Sequence, residues 1–245
     1  MKFEKTEVWG FEHAIRGMRN SWESWDKSDS IFHYVVAKDT NGRMFYKDAI
    51  PAEIADCCKL GKKDLDLMQK LIKAGSEHRK FLRQIFVSVD ITAPLYWWKE
   101  FDTYKVGTVS NSTSTMHKLA DTPITKDCFE MDDFENICVK RIKQQFYDTD
   151  IYIHSVFGED FWSLLIKYLE ELRQKYNETK DKRYWKELIR LLPESWLQKR
   201  TITMNYENIL NMYRQRKHHK LTEWSKSFCD WVKNLPYAEE LICVE

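Results

Sequence analysis

Glycine, proline and long apolar runs are scarce in this sequence. Its 245 residues include seven glycines and five prolines, which leaves little material for long disordered linkers. No apolar run approaches the roughly 18 residues that a membrane-spanning helix needs. Residues 1–20 also lack the apolar core of a secretory signal. We therefore expect a cytoplasmic protein without a membrane partner.

A charge imbalance and a regular cysteine pattern are also missing. The formal net charge is +1, so the chain has no overall attraction to nucleic acid or to an acidic membrane surface. The six cysteines contain no Cys-x-x-Cys pair, and the adjacent Cys57 and Cys58 are poor disulfide partners. We expect reduced thiols and no metal site, because a zinc site needs clustered Cys or His ligands.

The sequence is rich in the residues that build a core. Hydrophobic residues make up 43% of the chain, and there are ten Trp, twelve Tyr and thirteen Phe. A chain of this length fits one large domain or two small ones, and it can bury a sizeable core. No repeat and no shift in composition marks a boundary. We predict a single α+β domain over residues 1–245, with a mixed or antiparallel sheet and several packed helices.

The periodicity of apolar residues predicts the individual elements. Strands are predicted on both sides of Asn41-Gly42, a pair that tolerates the positive φ angles of a tight hairpin turn. The segment that begins at Phe81 predicts one strand, possibly two, before Trp97-Trp98. We assign these two tryptophans to the core or to an interface. Helical spacing covers 8–20, 64–74, 132–146, 159–176, 180–192 and 205–217, and 224–234 finishes the last helix or begins another.

The predicted helix 205–217 carries one charge on an unexpected face. At 100° per residue, Arg216 follows Met212 and Tyr213 onto the apolar side, while Glu207 and Arg214 share a face that we expect to be wet. Two alternatives follow for Arg216. Either it snorkels to solvent at the helix end or pairs with a carboxylate of the core, or it clamps a phosphate or carboxylate of a ligand. The basic run 217–220 is best explained as a solvated helix end, so we expect no nucleic-acid partner.

Several polar residues of the C-terminal part occur at a recognisable spacing. They are the "RLLP" of Arg190 to Pro193, the "TMN" of Thr203 to Asn205, then Asn211 and Arg216. Upstream, "AGSEH" (74–78) and "NSTS" (Asn111 to Ser114) add a fainter likeness. This pattern resembles the flavin-dependent thymidylate synthases.

The resemblance implies a fold, a reaction and an assembly. The chain would adopt the flavin-dependent thymidylate synthase fold and methylate dUMP, or modify C5 of a related pyrimidine nucleotide. FAD would be the cofactor, with NADPH and methylene-tetrahydrofolate as co-substrates, and the protein would form a homotetramer. The flavin does the difficult chemistry in such enzymes, so a protein nucleophile is not required.

The resemblance also implies roles for single residues. Substrate binding falls to Arg216, Arg190, Ser114 and Ser112. Cofactor binding falls to Asn205, Asn211, His78, Lys105 and Asn111. No catalytic residue is assigned.

The sequence departs from the family pattern at cationic positions. The Arg-His-Arg of the family signature corresponds to Tyr104, Lys105 and Val106 or, with a short insertion, to residues 101–103 (Phe-Asp-Thr). The arginine expected two residues after Asn205 is Glu207. These losses motivate an alternative hypothesis, a non-catalytic descendant of the same fold that binds a nucleotide or a protein partner.

Overall fold

The computed structural model describes residues 1–32, 35–38, 44–47, 50–51, 58–132, 143–146, 149–152 and 158–244, with side chains outside 33–58 and 133–161. The chain divides into two compact units. The first comprises Met1–Thr92, Trp97–Ser112 and Lys199–Glu245, and the second comprises Ala93–Tyr96 and Thr113–Gln198. The single domain over 1–245 stays a prediction.

A five-stranded sheet forms the centre of the first unit. Its strands are β1 (Lys2–Trp9), β5 (Ile50–Pro51), β7 (Phe86–Pro94), β8 (Val109–Ser112) and β11 (Leu197–Asn205). Their order is β5-β1-β7-β11-β8, and β1 pairs antiparallel with both β5 and β7, as β11 does with β8. In β7 the buried residues alternate with less buried ones, as expected where one face of a sheet meets the core.

Helices make up much of the rest of the first unit. They are α1 (Phe11–Arg19), α2 (Lys62–Lys73), α3 (Leu95–Phe101) from Trp97 onward, α7 (Tyr206–Arg216), a π-helix (Glu223–Phe228), α8 (Cys229–Lys233) and α9 (Ala238–Leu241). Their core includes stacked indoles, with the rings of Trp97 and Trp224 at 4.5 Å. Trp98 is buried beside them. The prediction that Trp97-Trp98 belongs to the core or an interface is confirmed.

The second unit has its own apolar core. Its helices are α4 (Thr115–Lys118), α5 (Gly158–Thr179) and α6 (Lys182–Leu191). The buried members of this core are Leu119, Ile124, Phe129, Leu169, Leu172 and Leu188. Glu170 of α5 accepts hydrogen bonds from Arg173 and from the backbone N–H of Ile124 at 2.8 Å, which ties the loop before α5 to this helix.

Three two-stranded ribbons complete the described chain. They are β2 (Ile31–Phe32) with β6 (Cys58–Lys59), β3 (Val35–Lys38) with β4 (Met44–Lys47), and β9 (Lys143–Phe146) with β10 (Thr149–Tyr152). The predicted strands on either side of Asn41-Gly42 do pair antiparallel, and the turn itself lies outside the described residues.

The α+β class is confirmed, and the long helices fall close to their predicted positions. Three boundaries were wrong. The strand predicted before Trp97-Trp98 ends at Pro94, and Leu95 already begins α3. Val8 and Trp9 end β1 instead of opening a helix, because Gly10 turns the chain at φ 98°. The predicted helix 132–146 ends in strand β9, and its residues 133–142 lie outside the described residues. Among the helices that the structure describes, none combines the length and apolar character needed to cross a bilayer.

Candidate functional site

Helix α7 begins with a reciprocal amide cap. The Asn205 Oδ1 accepts the backbone N–H of Asn208 at 3.0 Å, and Asn208 Oδ1 accepts the N–H of Asn205 at 3.3 Å. The Asn208 amide also donates to the Val106 carbonyl at 2.6 Å. Gly107 lies so close that a Cβ there would sit 2.8 Å from Asn208 Oδ1. The loop 104–108 is therefore fixed on the start of α7.

Glu207 is the buried anion of the same helix. It accepts a hydrogen bond from Arg79 Nε at 3.2 Å and a second from Arg83 Nε. Arg79 also donates to the Asn211 amide oxygen at 3.1 Å. The predicted wet face was wrong for Glu207, whose side chain is only 9% exposed, whereas Arg214 is exposed. Two guanidinium groups from a distant segment cover the carboxylate, and no local pattern could indicate them.

Arg216 lies on the apolar side of α7, as its spacing predicts. Its Nη1 is 3.3 Å from Glu100 Oε2, and its Nε donates to the Tyr104 hydroxyl at 2.9 Å. The guanidinium carbon is 4.9 Å from the ring centre of Trp224, which adds a cation–π contact. His219 Nε2 lies 3.6 Å from the other Glu100 oxygen. Of the two alternatives for Arg216, the carboxylate partner is present within the chain.

Three further predicted residues of the first unit, Asn111, Ser112 and Lys105, lie on exposed positions. Asn111 and Ser112 are exposed on β8, where they pair with Thr201 and Arg200 of β11. Lys105 is exposed in the loop 104–108 that contacts α7.

Two of the predicted substrate-binding residues, Ser114 and Arg190, belong to the second unit. Ser114 caps α4, where its hydroxyl accepts the backbone N–H of His117 at 3.2 Å. Arg190 is exposed in the last turn of α6.

A groove of about 1080 Å³ opens in the first unit, beside α1 and α2. Predicted His78 is exposed on its wall. The described lining contains five lysine or arginine residues against one carboxylate, that of Glu77. These cations are Arg19, Lys27, Lys63, Lys80 and Arg83. Trp22, on the same lining, is 87% exposed. The groove was missed, although the aromatic loop "SWESWDKSDS" was a visible signal for it.

A buried ion pair holds the loop that carries Trp22. Arg19 Nε donates to Asp64 Oδ1 at 2.7 Å, and the other Asp64 oxygen accepts the hydroxyls of Ser28 and Ser30, each at 2.7 Å. Burial raises the pKa of Asp64, but hydrogen bonds from Ser30, Ser28, Arg19 and the backbone of Asp29 outweigh it and leave the pKa below its usual value. The carboxylate is thus charged and organises residues 19–30.

The described residues do not group into a metal site, since no three His, Cys, Asp or Glu side chains converge among them.

Comparison with known proteins relates the fold to one class of enzyme. No protein-family model matches the chain, and no curated protein matches it in sequence. Two solved structures of the flavin-dependent thymidylate synthase ThyX from Helicobacter pylori, both with FAD and dUMP, match it in structure. One is 16% identical, with a TM-score of 0.61 and 100% of both chains covered. The other is 15% identical, with a TM-score of 0.62, and covers 99% of this chain and 97% of that chain.

The chain therefore has the flavin-dependent thymidylate synthase fold, as the resemblance in sequence implied.

Proposed function

We propose that this chain is a flavin-dependent enzyme that methylates dUMP to thymidylate, or modifies C5 of a related pyrimidine nucleotide. Methylene-tetrahydrofolate would supply the carbon and NADPH would reduce the flavin. The observation that carries the proposal is the match in fold over the whole chain to enzymes solved with FAD and dUMP. The spacing of Thr203, Asn205, Asn211 and Arg216 supports it independently. We further propose a cytoplasmic homotetramer.

The residues of the first unit fit a flavin nucleotide. A flavin dinucleotide combines flat rings with a diphosphate, so it requires apolar or aromatic surface next to cations. The groove beside His78 supplies both, through the exposed Trp22 and an excess of lysine and arginine. Its volume falls at the upper end of ordinary ligand sites.

Each predicted residue would have a limited task. When bound, the flavin would supply the redox chemistry of the reaction. The amide oxygen of Asn205 already accepts the backbone N–H of Asn208 in the helix cap, so its contribution would be to hold the start of α7. Asn211 would offer its amide nitrogen, since its oxygen accepts from Arg79. Lys105 and Asn111 would approach the cofactor from exposed positions.

Arg216 would bind the nucleotide substrate. It is held between Tyr104, Trp224 and Glu100, so an incoming phosphate or base oxygen would compete with the Glu100 carboxylate for its N–H donors. The resemblance also implies substrate-binding roles for Ser112, Ser114 and Arg190, and we propose these roles for each residue by itself.

Absorption spectroscopy and turnover test the proposal. We expect the purified protein to carry or take up FAD, and dUMP to stimulate its oxidation of NADPH. Arg216→Gln should abolish the stimulation by dUMP, while Arg214→Gln, an exposed arginine of the same helix, should leave it unchanged. A colourless protein that takes up neither FAD nor dUMP would refute the proposal. Uptake of both without turnover would instead support the non-catalytic alternative.

A further inference from the structure

Arg83 is held at the wall of the groove by a carboxylate that is not part of the groove. Its side chain is 51% exposed and belongs to the groove lining, while its Nε donates to the buried Glu207 of α7. One N–H of the guanidinium is thus committed to Glu207, and the rest of its donor fork remains for another acceptor. Arg79, on the other oxygen of Glu207, prevents the carboxylate from rotating away.

Trp22 lies in a turn whose backbone is held by hydrogen bonds, from the N–H of Glu23 to the Asn20 carbonyl and from the N–H of Ser24 to the Arg19 carbonyl, each at 3.2 Å. Glu23, the next residue, has φ 46°, a conformation that costs a non-glycine residue about 1 kcal/mol and that clusters at binding sites. Arg19 fixes the following turn through its bonds to the carbonyls of Ser24 at 3.2 Å and Lys27 at 3.3 Å. An indole that is 87% exposed on an anchored loop is preorganised to stack on a flat ring.

The charges of the groove favour a ligand with an anionic group beside its aromatic ring. Its five cations include Arg19, neutralised by Asp64, and Lys80, which is 3.3 Å from Glu77. Lys27, Lys63 and Arg83 then leave a surplus of positive charge on the lining, even with Glu207 counted against Arg83. A planar guanidinium and two ammonium groups next to an exposed indole are suited to recognise a phosphorylated aromatic compound.

We propose that this groove binds an aromatic ring that carries a phosphate or diphosphate, with Trp22 stacking on the ring, Arg83 binding the phosphate, and Glu207 acting as the positioning residue for Arg83. The inference deepens the proposed function, because such a ligand is either the nucleotide part of the flavin cofactor or the nucleotide substrate. It also gives a role to Glu207, which stands where the family has an arginine.

Calorimetry with ADP, inorganic pyrophosphate, FAD and dUMP tests the inference on the full chain. We expect ADP to bind the parent protein and Arg83→Gln to weaken both ADP and pyrophosphate by about tenfold or more. Trp22→Ala should weaken ADP but spare pyrophosphate, since only ADP has a ring to stack. Arg16→Gln, an exposed arginine of α1 outside the groove lining, is the matched control and should bind like the parent.

Glu207→Gln separates positioning from simple electrostatics. Removing a negative charge near the groove should tighten anion binding if only charge matters, whereas loss of the positioned guanidinium should weaken it. We expect weaker pyrophosphate binding, with recovery in Glu207→Asp. Tighter binding would overturn the positioning role. If the Glu207 variants fail to fold, the Arg83→Gln variant, at a half-exposed position, still tests whether the groove binds the phosphate.

Competition identifies the ligand and keeps the two proposals apart. Displacement of ADP by FAD assigns the groove to the cofactor, and displacement by dUMP alone assigns it to the substrate. If FAD never binds but ADP binding depends on Arg83, the proposed function fails and the groove assignment stands. If FAD binds equally well to the parent, Arg83→Gln and Trp22→Ala, the groove assignment is overturned. Absence of ADP and pyrophosphate binding would also overturn it.

Discussion

The ion pair between Arg19 and Asp64 anchors the loop that follows α1. Asp64 is fully buried; its Oδ1 accepts a hydrogen bond from Arg19 at the end of α1, and its Oδ2 accepts hydrogen bonds from Ser28 and Ser30 of that loop. Asp64→Asn would leave Arg19 buried without an anion, so we expect the free energy of unfolding to fall by about 3–5 kcal/mol. Urea unfolding measures the change. Asp66→Asn, exposed on the same helix, should stay within about 0.5 kcal/mol of the parent. Equal stability of the Asp64 variant would contradict the prediction.

Two glycines with positive φ differ in the space around them. Gly10 has φ 98° and Gly75 has φ 109°. A Cβ on Gly10 would overlap the backbone carbonyl of Gln84, whereas a Cβ on Gly75 would meet nothing within 4 Å. We expect Gly75→Ala to lower the free energy of unfolding by about 1 kcal/mol, from backbone strain alone. Gly10→Ala should cost more than about 2 kcal/mol, because the backbone must also move. Similar losses in thermal and urea unfolding would argue against this difference.

Local spacing predicted the environment of single residues only where the partner is also local. The position of Arg216 on the apolar side of α7 follows from its spacing to Met212 and Tyr213. Its partner Glu100 could not be predicted, because α3 brings it there from a distant part of the chain. The burial of Glu207 was missed for the same reason, since its two arginines lie in the segment 79–83.

At the scale of elements, the hydrogen bonds between Asn205 and Asn208 stabilise the start of α7. Asn205→Ala removes the oxygen that accepts the N–H of Asn208, so we expect a loss of about 1 kcal/mol. Asn205→Asp keeps an acceptor and adds a charge that the start of a helix favours, so it should retain the parent stability. Thermal unfolding of the two variants provides the comparison. A larger loss for aspartate than for alanine would show that the cap is not what stabilises this position.

Helices were easier to predict than strands because their apolar periodicity is long. The 22 residues of α5 repeat their pattern several times, so its existence was clear from the sequence. Strand β8 is only four residues long and fully exposed, and its Ser and Asn residues are typical of a turn. Strand β1 is interrupted by a shift in register between Glu4 and Glu7, which breaks the alternation that would reveal it.

At the scale of the molecule, carboxylates with lowered pKa make both units sensitive to acid. A hydrogen bond from Arg173 is the largest cause that lowers the pKa of Glu170, to about 2 from 4.5. A lowered folded-state pKa contributes stability that is present above the unfolded value and is lost as the pH falls towards the folded value. The contribution of Glu170 is therefore present above pH 4.5 and fades between 4.5 and about 2. Asp64 adds a loss in the same direction, below its ordinary value of 3.8.

A variant isolates the contribution of Glu170. At about pH 7 we expect Glu170→Gln to unfold at a lower urea concentration than the parent, with the difference narrowing as the pH is lowered to about 3. Its exposed neighbour supplies the control, because Glu171→Gln should unfold at about the same urea concentration as the parent at pH 7. A difference that stays constant over this range would mean that ionisation of Glu170 is not its source.

The strand order has a consequence for how the chain folds during synthesis. Strand β1 is made first, but its partner β7 ends at Pro94, and the next strand in the sheet, β11, ends at Asn205. Contacts between such distant segments give a high contact order, which slows folding. The sheet cannot be completed before residue 205 has left the ribosome. Until then the edge of β7 that pairs with β11 has no partner, and this is the interval in which a chaperone would have most to protect.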